Sequence, residues 1–305
     1  MQVTRAVPLR SSRTRRRNRN LLLGLLFISP WLVGFTAFGL YPIVMSMIFS
    51  FSHYDGLNPP TLTGLRNYAN IVQDPLIWLS LGNTFYYAII AIPLGTVLAI
   101  LVAALMNRPV KGQGLFRTII YVPYMVPTVA AALLWIWLLD PNHGLINALL
   151  QLVHIPGPAW LSSTAWSKPA LILMAQWGLG QAAVIYLSGM QSVPKDLYES
   201  AEIDGAGPLR RFFSVTIPMM SPVILYNLIM ALIGSLQYFT QAYVMTSGGP
   251  ANSTLFYNLY LYQQAFGFNH FGYASAMAWL LLLLTASLTA LVLRTSRRWV
   301  YYGGA

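Results

Sequence analysis

The amino-acid sequence predicts an all-α membrane protein with six transmembrane helices and, between spans 4 and 5, a cytoplasmic helix-turn-helix. Three observations predict it. The chain is 56% hydrophobic and only 8% charged, against about 25% charged in an average soluble domain. Five stretches free of Asp, Glu, Lys and Arg, at 20–54, 75–107, 118–139, 169–194 and 212–293, are each long enough to cross a hydrocarbon core of about 30 Å, which takes about 20 helical residues. The basic residues, finally, crowd into alternate connections.

In chain order, the spans are expected at about 21–48, 76–106, 118–139, 169–191, 215–245 and 273–293. The last charge-free stretch holds two of them, because Thr246-Ser247-Gly248-Gly249-Pro250 is turn chemistry that interrupts a helix. Between spans 3 and 4, Pro141 to Gly144 and Pro156 to Pro158 leave about 11 residues of helix, too few to cross. This segment reads as interfacial. So does 252–268, whose Phe256, Tyr257, Tyr260 and Tyr262 suit an aromatic belt at headgroup level.

Sixteen of the 18 Lys and Arg residues fall in the N-terminal tail, the loops 107–117 and 192–214, and the C-terminal tail; Arg66 and Lys168 alone fall on the other side. Positive charge stays inside, so both termini and the loop with Lys195, Arg210 and Arg211 are expected in the cytoplasm. The chain divides into a basic tail at 1–20, a six-span domain at 21–293 and a C-terminal tail at 294–305. The run Arg13, Arg15, Arg16, Arg17 and Arg19 abuts a span, so topology and contact with anionic lipid explain it better than nucleic acid. The apolar stretch that follows runs too long for a cleaved signal.

The chemistry of most enzymes is missing. There is no cysteine, hence no thiolate ligand or nucleophile. Lys111, Lys168 and Lys195 follow Val, Ser and Pro, so no P-loop forms and any ATP hydrolysis belongs to another chain. His53, His143, His154 and His270 lie in outer loops without metal-ligand spacing. The six spans carry no Asp, Glu, Lys or Arg, the usual coupling groups of ion-driven carriers.

Four of the seven acidic residues, Asp196, Glu199, Glu202 and Asp204, fall in one cytoplasmic loop at about 192–217. Ser192 and Pro194 suit a helix start, Asp196 its positive end, and Gly205 a left-handed stop. A second short helix is expected from Pro208 to Ile217, limited by Pro218 and Pro222. Ala201, Gly205 and Ala206 allow close approach, with Tyr198 and Phe212 as apolar anchors for a partner groove. A solvated charged face fits the same residues equally well.

Glu199-Ser200-Ala201, three residues, Gly205, nine residues, then Val215-Thr216-Ile217-Pro218 resembles the EAA motif of binding-protein-dependent ABC transporter permeases, with Ser200, Val215 and Ile217 as substitutions. Further likeness to the carbohydrate-uptake branch, the maltose and multiple-sugar permeases, lies in Gly64 to Tyr68, Asp74-Pro75, Asn83-Thr84, Gly114 to Thr118, Val122-Pro123 and Thr246 to Pro250.

The resemblance implies a permease subunit of the bacterial or archaeal inner membrane with no enzymatic activity of its own. Its implied partners are a P-loop ATPase dimer holding ATP and Mg, a second six-span subunit (a heterodimer by analogy, a homodimer staying open), an extracytoplasmic solute-binding protein and a sugar. Glu199, Ala201, Glu202, Asp204 and Gly205 would sit at the ATPase groove. Sugars need amides, hydroxyls and aromatic faces without charge; Trp177, Gly178 and Gln181 on span 4, and Ser235, Gln237, Tyr238 and Gln241 on span 5, offer them. Bonds between helices fit those residues equally well. The alternative, an ion-coupled carrier or channel, would work without an ATPase.

Overall fold

The computed structural model describes residues 10–108 and 111–301. Residues 1–9 of the basic tail, Pro109 and Val110, and residues 302–305 of the C-terminal tail lie outside the described residues. The chain is a bundle of helices of very different lengths. Four helical stretches are long and apolar enough to cross a membrane, Asn20–Ser50, Pro75–Met106, Ser221–Met245 and Phe271–Ser296, and two bent pairs raise the number to as many as six.

The first stretch is α1 (Arg10–Phe35), a wide turn at Thr36–Leu40 and α2 (Tyr41–Ser50). The boundary expected at residue 20 therefore falls inside a helix. Phe27 is 86% and Phe38 87% exposed, an apolar surface that water does not favour and lipid does. A small hairpin, β1 (Ser52–His53) with β2 (Thr61–Leu62), leads to α3 (Arg66–Gln73). Asp74 then caps α4 (Pro75–Met106) by accepting from the Leu76 amide at 2.9 Å, with Pro75 in the first turn. At 32 residues, α4 is about 48 Å long and forms the axis of the bundle.

The expected third span is not one helix. It consists of α5 (Gln113–Met125) and α6 (Thr128–Leu138), bent by 98°. Pro127 bars Val126 from the helical region, and Val126 is extended. The segment expected at the interface contains the short α7 (Leu145–Leu152). Before it, the His143 and Asn142 amides donate to Asp140 and hold its carboxyl below the usual carboxylate range. The fourth span also divides, into α8 (Ser167–Trp177) and α9 (Gly180–Gln191), bent by 49° where Gly178 and Gly180 weaken the helix.

The helix-turn-helix follows as α10 (Lys195–Ile203) and α11 (Pro208–Arg211). A wide turn at Phe212–Thr216 and α12 (Ile217–Met219) carry the helical path onward as far as Met220, where it breaks between Pro218 and Pro222 as expected; each proline sits at the start of a helix, where no amide donor is needed. The expected fifth span is α13 (Ser221–Leu236) and α14 (Thr240–Met245). After the Gly-Gly-Pro turn come α15 (Tyr257–Tyr262), a wide turn to Gly267, and α16 (Phe271–Ser296), which passes the expected boundary at 293.

One expectation reverses. Most of the 252–268 segment is no surface belt, because Phe256 is 0%, Tyr257 2% and Tyr260 4% exposed, although Tyr262 is half-buried and Phe266 and Phe268 stay exposed. Specific bonds draw it into the bundle. Asn83 Nδ2 donates to the carbonyls of Asn252 and Leu255 at 2.9 and 3.0 Å, Thr84 accepts from the Tyr257 amide at 3.0 Å, and the Tyr257 hydroxyl donates to the Met277 carbonyl at 2.9 Å. The hydroxyls of Tyr260 and Tyr273 both donate to Asp74. A sequence window registers the aromatic content, whereas these partners lie more than 160 residues away along the chain or on a different helix.

The core has two parts. The larger joins α4 to α6, α8, α14, α15 and α16 through residues such as Trp135, Leu171, Phe256 and Met277. The smaller lies toward the helix-turn-helix, where Ala99 and Ala103 of α4, both 0% exposed, meet Ala183 and Tyr186 of α9 and Met220. Alanines four residues apart let two helix backbones approach closely.

Candidate functional site

A cavity of about 400 Å³ lies between the two core parts, at mid-height of α4. The walls from α4 and α13 follow a helical period. Tyr87, Ala91 and Thr96 come from α4, Ala175 and Gln176 from α8, Gln181 and Tyr186 from α9, and Asn227, Ala231 and Ser235 from α13. The lining contains amides, hydroxyls and aromatic rings and no Asp, Glu, Lys or Arg. That set forms hydrogen bonds with a neutral polyhydroxylated ligand and offers ring faces to its apolar side.

Of the sequence-predicted pathway residues, the structure brings Gln181 and Ser235 together here. Gln181 is exposed on the wall, while the Ser235 hydroxyl donates to the Leu232 carbonyl at 2.9 Å. The remaining five stand elsewhere. Trp177 packs into the core edge-on to Trp135, and Gly178 ends α8. Tyr238, 7% exposed, lies behind the wall with its ring 4.3 Å from Tyr87 and 5.1 Å from Phe256. Gln237 is exposed away from the cavity, its carbonyl accepting from Asn258, and Gln241 is half-buried in α14.

Sequence reasoning missed Tyr87, Thr96, Tyr186 and Asn227. Their signal is present in retrospect: Tyr87, Ala91 and Gly95, and Asn227, Ala231 and Gly234, recur at helical spacing as polar or small residues within apolar helices. Among the described residues, the hydroxyl of Tyr186, fully buried beside Thr96, has no hydrogen-bond partner of good geometry. A buried hydroxyl without a partner costs free energy unless something else supplies one.

The helix-turn-helix joins the two sides of this cavity. Three residues separate α9, which carries Gln181 and Tyr186, from α10, and the path from α11 leads through α12 into α13, which carries Asn227 and Ser235. Two bonds tie its halves: Arg211 donates to Glu202 at 2.7 Å, and the hydroxyls of Tyr198 and Thr216 lie 2.9 Å apart. Gly205, at φ +75°, closes α10; its amide donates to the Glu202 carbonyl at 3.0 Å and that of Ala206 to the Ala201 carbonyl at 2.9 Å. This Schellman pair satisfies carbonyls that a helix end leaves open. Ser192 does not cap α10 as expected, since its hydroxyl donates back to Gly189; Pro194 occupies the cap position.

The expected apolar anchors are also exchanged. Tyr198 bonds to Thr216, and Phe212 packs against the smaller core. Ile203, 87% exposed, and Leu209, 75% exposed, stand outward instead. Glu199, Asp204 and Gly205 are exposed beside them and Ala201 is half-buried.

Apolar helices around an uncharged cavity lined by small, apolar and a few polar side chains, with a charged helix-turn-helix linking two of its walls, form the architecture of a membrane transport subunit. The chain belongs to the family described as binding-protein-dependent transport system inner membrane component, which matches residues 91–301. It is 37% identical over 299 residues to the probable ABC transporter permease protein YesP of Bacillus subtilis, covering 96% of each chain. It is 33% identical over 280 residues to the sulfoquinovosyl glycerol transport system permease protein SmoG of Agrobacterium fabrum, covering 90% of this chain and 91% of that one. A chain from the crystal structure of a bacterial ABC transporter involved in the import of the acidic polysaccharide alginate has the same fold, with a TM-score of 0.81 at 21% identity over 93% of this chain and 98% of that one.

Proposed function

We propose that this chain is the transmembrane subunit of an ATP-driven importer for a sugar or oligosaccharide, forming half of the pathway in a bacterial or archaeal inner membrane. Both bent pairs then act as spans, giving six, with the termini and the α10–α11 unit in the cytoplasm as the basic residues favour. The observation that carries this reading is the connection of α10 and α11 to two different walls of one uncharged cavity. A unit tied internally by the Glu202–Arg211 and Tyr198–Thr216 bonds transmits movement of a partner as rigid-body movement of α9 and α13, the basis of alternating access. Relatives support the sugar class, among them the lactose transport system permease protein LacF of Rhizobium radiobacter, 34% identical over 280 residues.

In this mechanism a P-loop ATPase dimer supplies ATP, Mg and hydrolysis. Its groove receives α10 through Glu199, Ala201, Glu202, Asp204 and Gly205, with Ile203 as the apolar contact. A second six-span subunit completes the pathway, and an extracytoplasmic binding protein delivers the sugar. Purification from the native host in mild detergent, with mass spectrometry of retained proteins, is expected to recover a P-loop ATPase and a second six-span chain. Recovery of neither, where a known importer stays whole, would favour an ion-coupled carrier.

Gln181→Ala removes one amide from the cavity wall. Loss of a single neutral hydrogen bond costs about 1 kcal/mol, about fivefold in half-saturating sugar. Uptake assays on vesicles should show that change, with the ATPase still co-purifying at wild-type yield. Unchanged uptake would remove Gln181 from the pathway.

A further inference from the structure

We propose a second, outer subsite at Lys168 that takes the acidic group of a sugar bearing a single negative charge, a carboxylate or a sulfonate. The inference rests on the sugar-permease reading and narrows its substrate class. Lys168 stands half-buried in the first turn of α8. Its Nζ donates to Asn83 Oδ1 at 2.9 Å and lies 4.9 Å from the centre of the Tyr86 ring. Both partners are neutral, and among the described residues no carboxylate comes within 4.0 Å of the ammonium.

Three effects work against a cation here. Partial burial removes water from the charge without supplying a counter-ion. The first turn of a helix is its positive end, which disfavours another positive group. The topology rule also gives no reason for it, because Lys168 and Arg66 are the two basic residues on the side that lacks them.

The bond to Asn83 has a structural use, since it leaves the Asn83 amide hydrogens turned to the carbonyls of Asn252 and Leu255. Any neutral donor would serve that purpose, and the Tyr86 ring offsets part of the cost of the charge without supplying a counter-ion. A bound anion supplies one.

The position suits substrate. Lys168 precedes Ala175 of the cavity wall by seven residues, which places both on one face of α8, about 10 Å apart along the axis. On α4, Asn83 precedes Tyr87 of the same wall by one turn. Lys168 therefore lies outward of the cavity along the seam between α4 and α8. Of its three N–H groups one is used on Asn83, leaving two for the oxygens of a monoanion. Tyr86, 40% exposed, adds an aromatic face beside the ammonium. A charge-assisted bond in this setting is worth about 1.5–3 kcal/mol, about tenfold or more in affinity.

The test uses the whole importer, co-purified with its partners in lipid nanodiscs. Binding is measured by calorimetry for cellobiose against cellobiouronic acid, and for glucose against 6-deoxy-6-sulfoglucose, at low and high salt. The expected result is an acidic sugar bound about tenfold more tightly than its neutral counterpart, the preferred pair telling carboxylate from sulfonate. Lys168→Gln should remove that preference with neutral-sugar affinity unchanged, and Lys168→Arg should keep most of it. Equal binding within each pair by wild type, or a preference that survives Lys168→Gln, overturns the outer subsite and leaves the sugar cavity standing. Binding of none of the four sugars overturns the subsite and the sugar-permease reading together.

Discussion

Gly205→Val is expected to abolish ATP-driven uptake while the protein still inserts, folds and purifies at near wild-type yield. Gly205 sits at φ +75°, a region that costs an L-residue about 1–2 kcal/mol, and more with a β-branched side chain. The Schellman bonds to Glu202 and Ala201 require that geometry. Among the described residues nothing else does, for a Cβ on Gly205 would meet no atom within 4 Å. The strain is therefore local to the end of α10, and the rest of the bundle has no reason to respond to it. Only a partner seated on α10 would sense the altered turn.

Two companion variants separate conformation from contact. Asn tolerates the left-handed region better than other side chains, so Gly205→Asn preserves the turn but adds atoms to its exposed surface. If uptake by the Asn variant returns to near the wild-type rate, the left-handed turn alone is what coupling needs. If both variants are inactive and both lose the co-purifying ATPase, close approach of the partner to Gly205 is the requirement. Full uptake by Gly205→Val at normal expression would remove the coupling role from this loop. The Arg211→Ala variant is a useful third case, because it unties Glu202 without touching the turn; an exposed ion pair contributes about 0.2–1 kcal/mol and the Tyr198–Thr216 bond still joins the halves, so its effect on uptake should be small.

The parts of this molecule legible in the sequence are those set by local chemistry. The long apolar helices follow from the absence of charge, and the closing of α10 at Gly205 follows from one glycine after a helical run. The bend between α5 and α6 was also open to reading, since Pro127 follows Val126 only four residues after Pro123. A charge count passes over prolines, and so yielded one span. What could not be read was facing. Tyr198 and Phe212 look like exposed anchors until Thr216 and the smaller core claim them. Tyr87 and Thr96 look like any residues of an apolar helix until α9 and α13 arrive opposite. The 252–268 segment was misplaced for the same reason: its partners Asn83, Thr84 and Asp74 belong to the start of α4 and the residue that caps it, and no local window contains both. The helix-turn-helix was legible as a unit because its caps and charges are contiguous, and the cavity was not, because its walls come from four helices.

The same limit leads to the last expected result, which concerns two glycines in Trp177-Gly178-Leu179-Gly180. In sequence they are equivalent helix breakers, yet Gly178→Ala should be close to neutral and Gly180→Ala severe. A Cβ at Gly178 would find only the Ala175 carbonyl oxygen, at 3.8 Å, an ordinary contact, and φ there is −87°. A Cβ at Gly180 would overlap the Ile120 carbonyl oxygen and stand 3.0 Å from the Tyr121 Cα. These are backbone atoms of α5, so no side chain can rotate out of the way. To admit the methyl group, α5 and α9 must separate, and α9 carries Gln181 and Tyr186 of the cavity. Overpacking against a backbone costs about 3 kcal/mol, about 6 °C or more in Tm for a chain of this size. Thermal unfolding of the two variants in the same detergent measures the difference. Equal Tm values would mean that α5 and α9 are not held in this close contact, and with it would go the placement of Gln181 on the cavity wall.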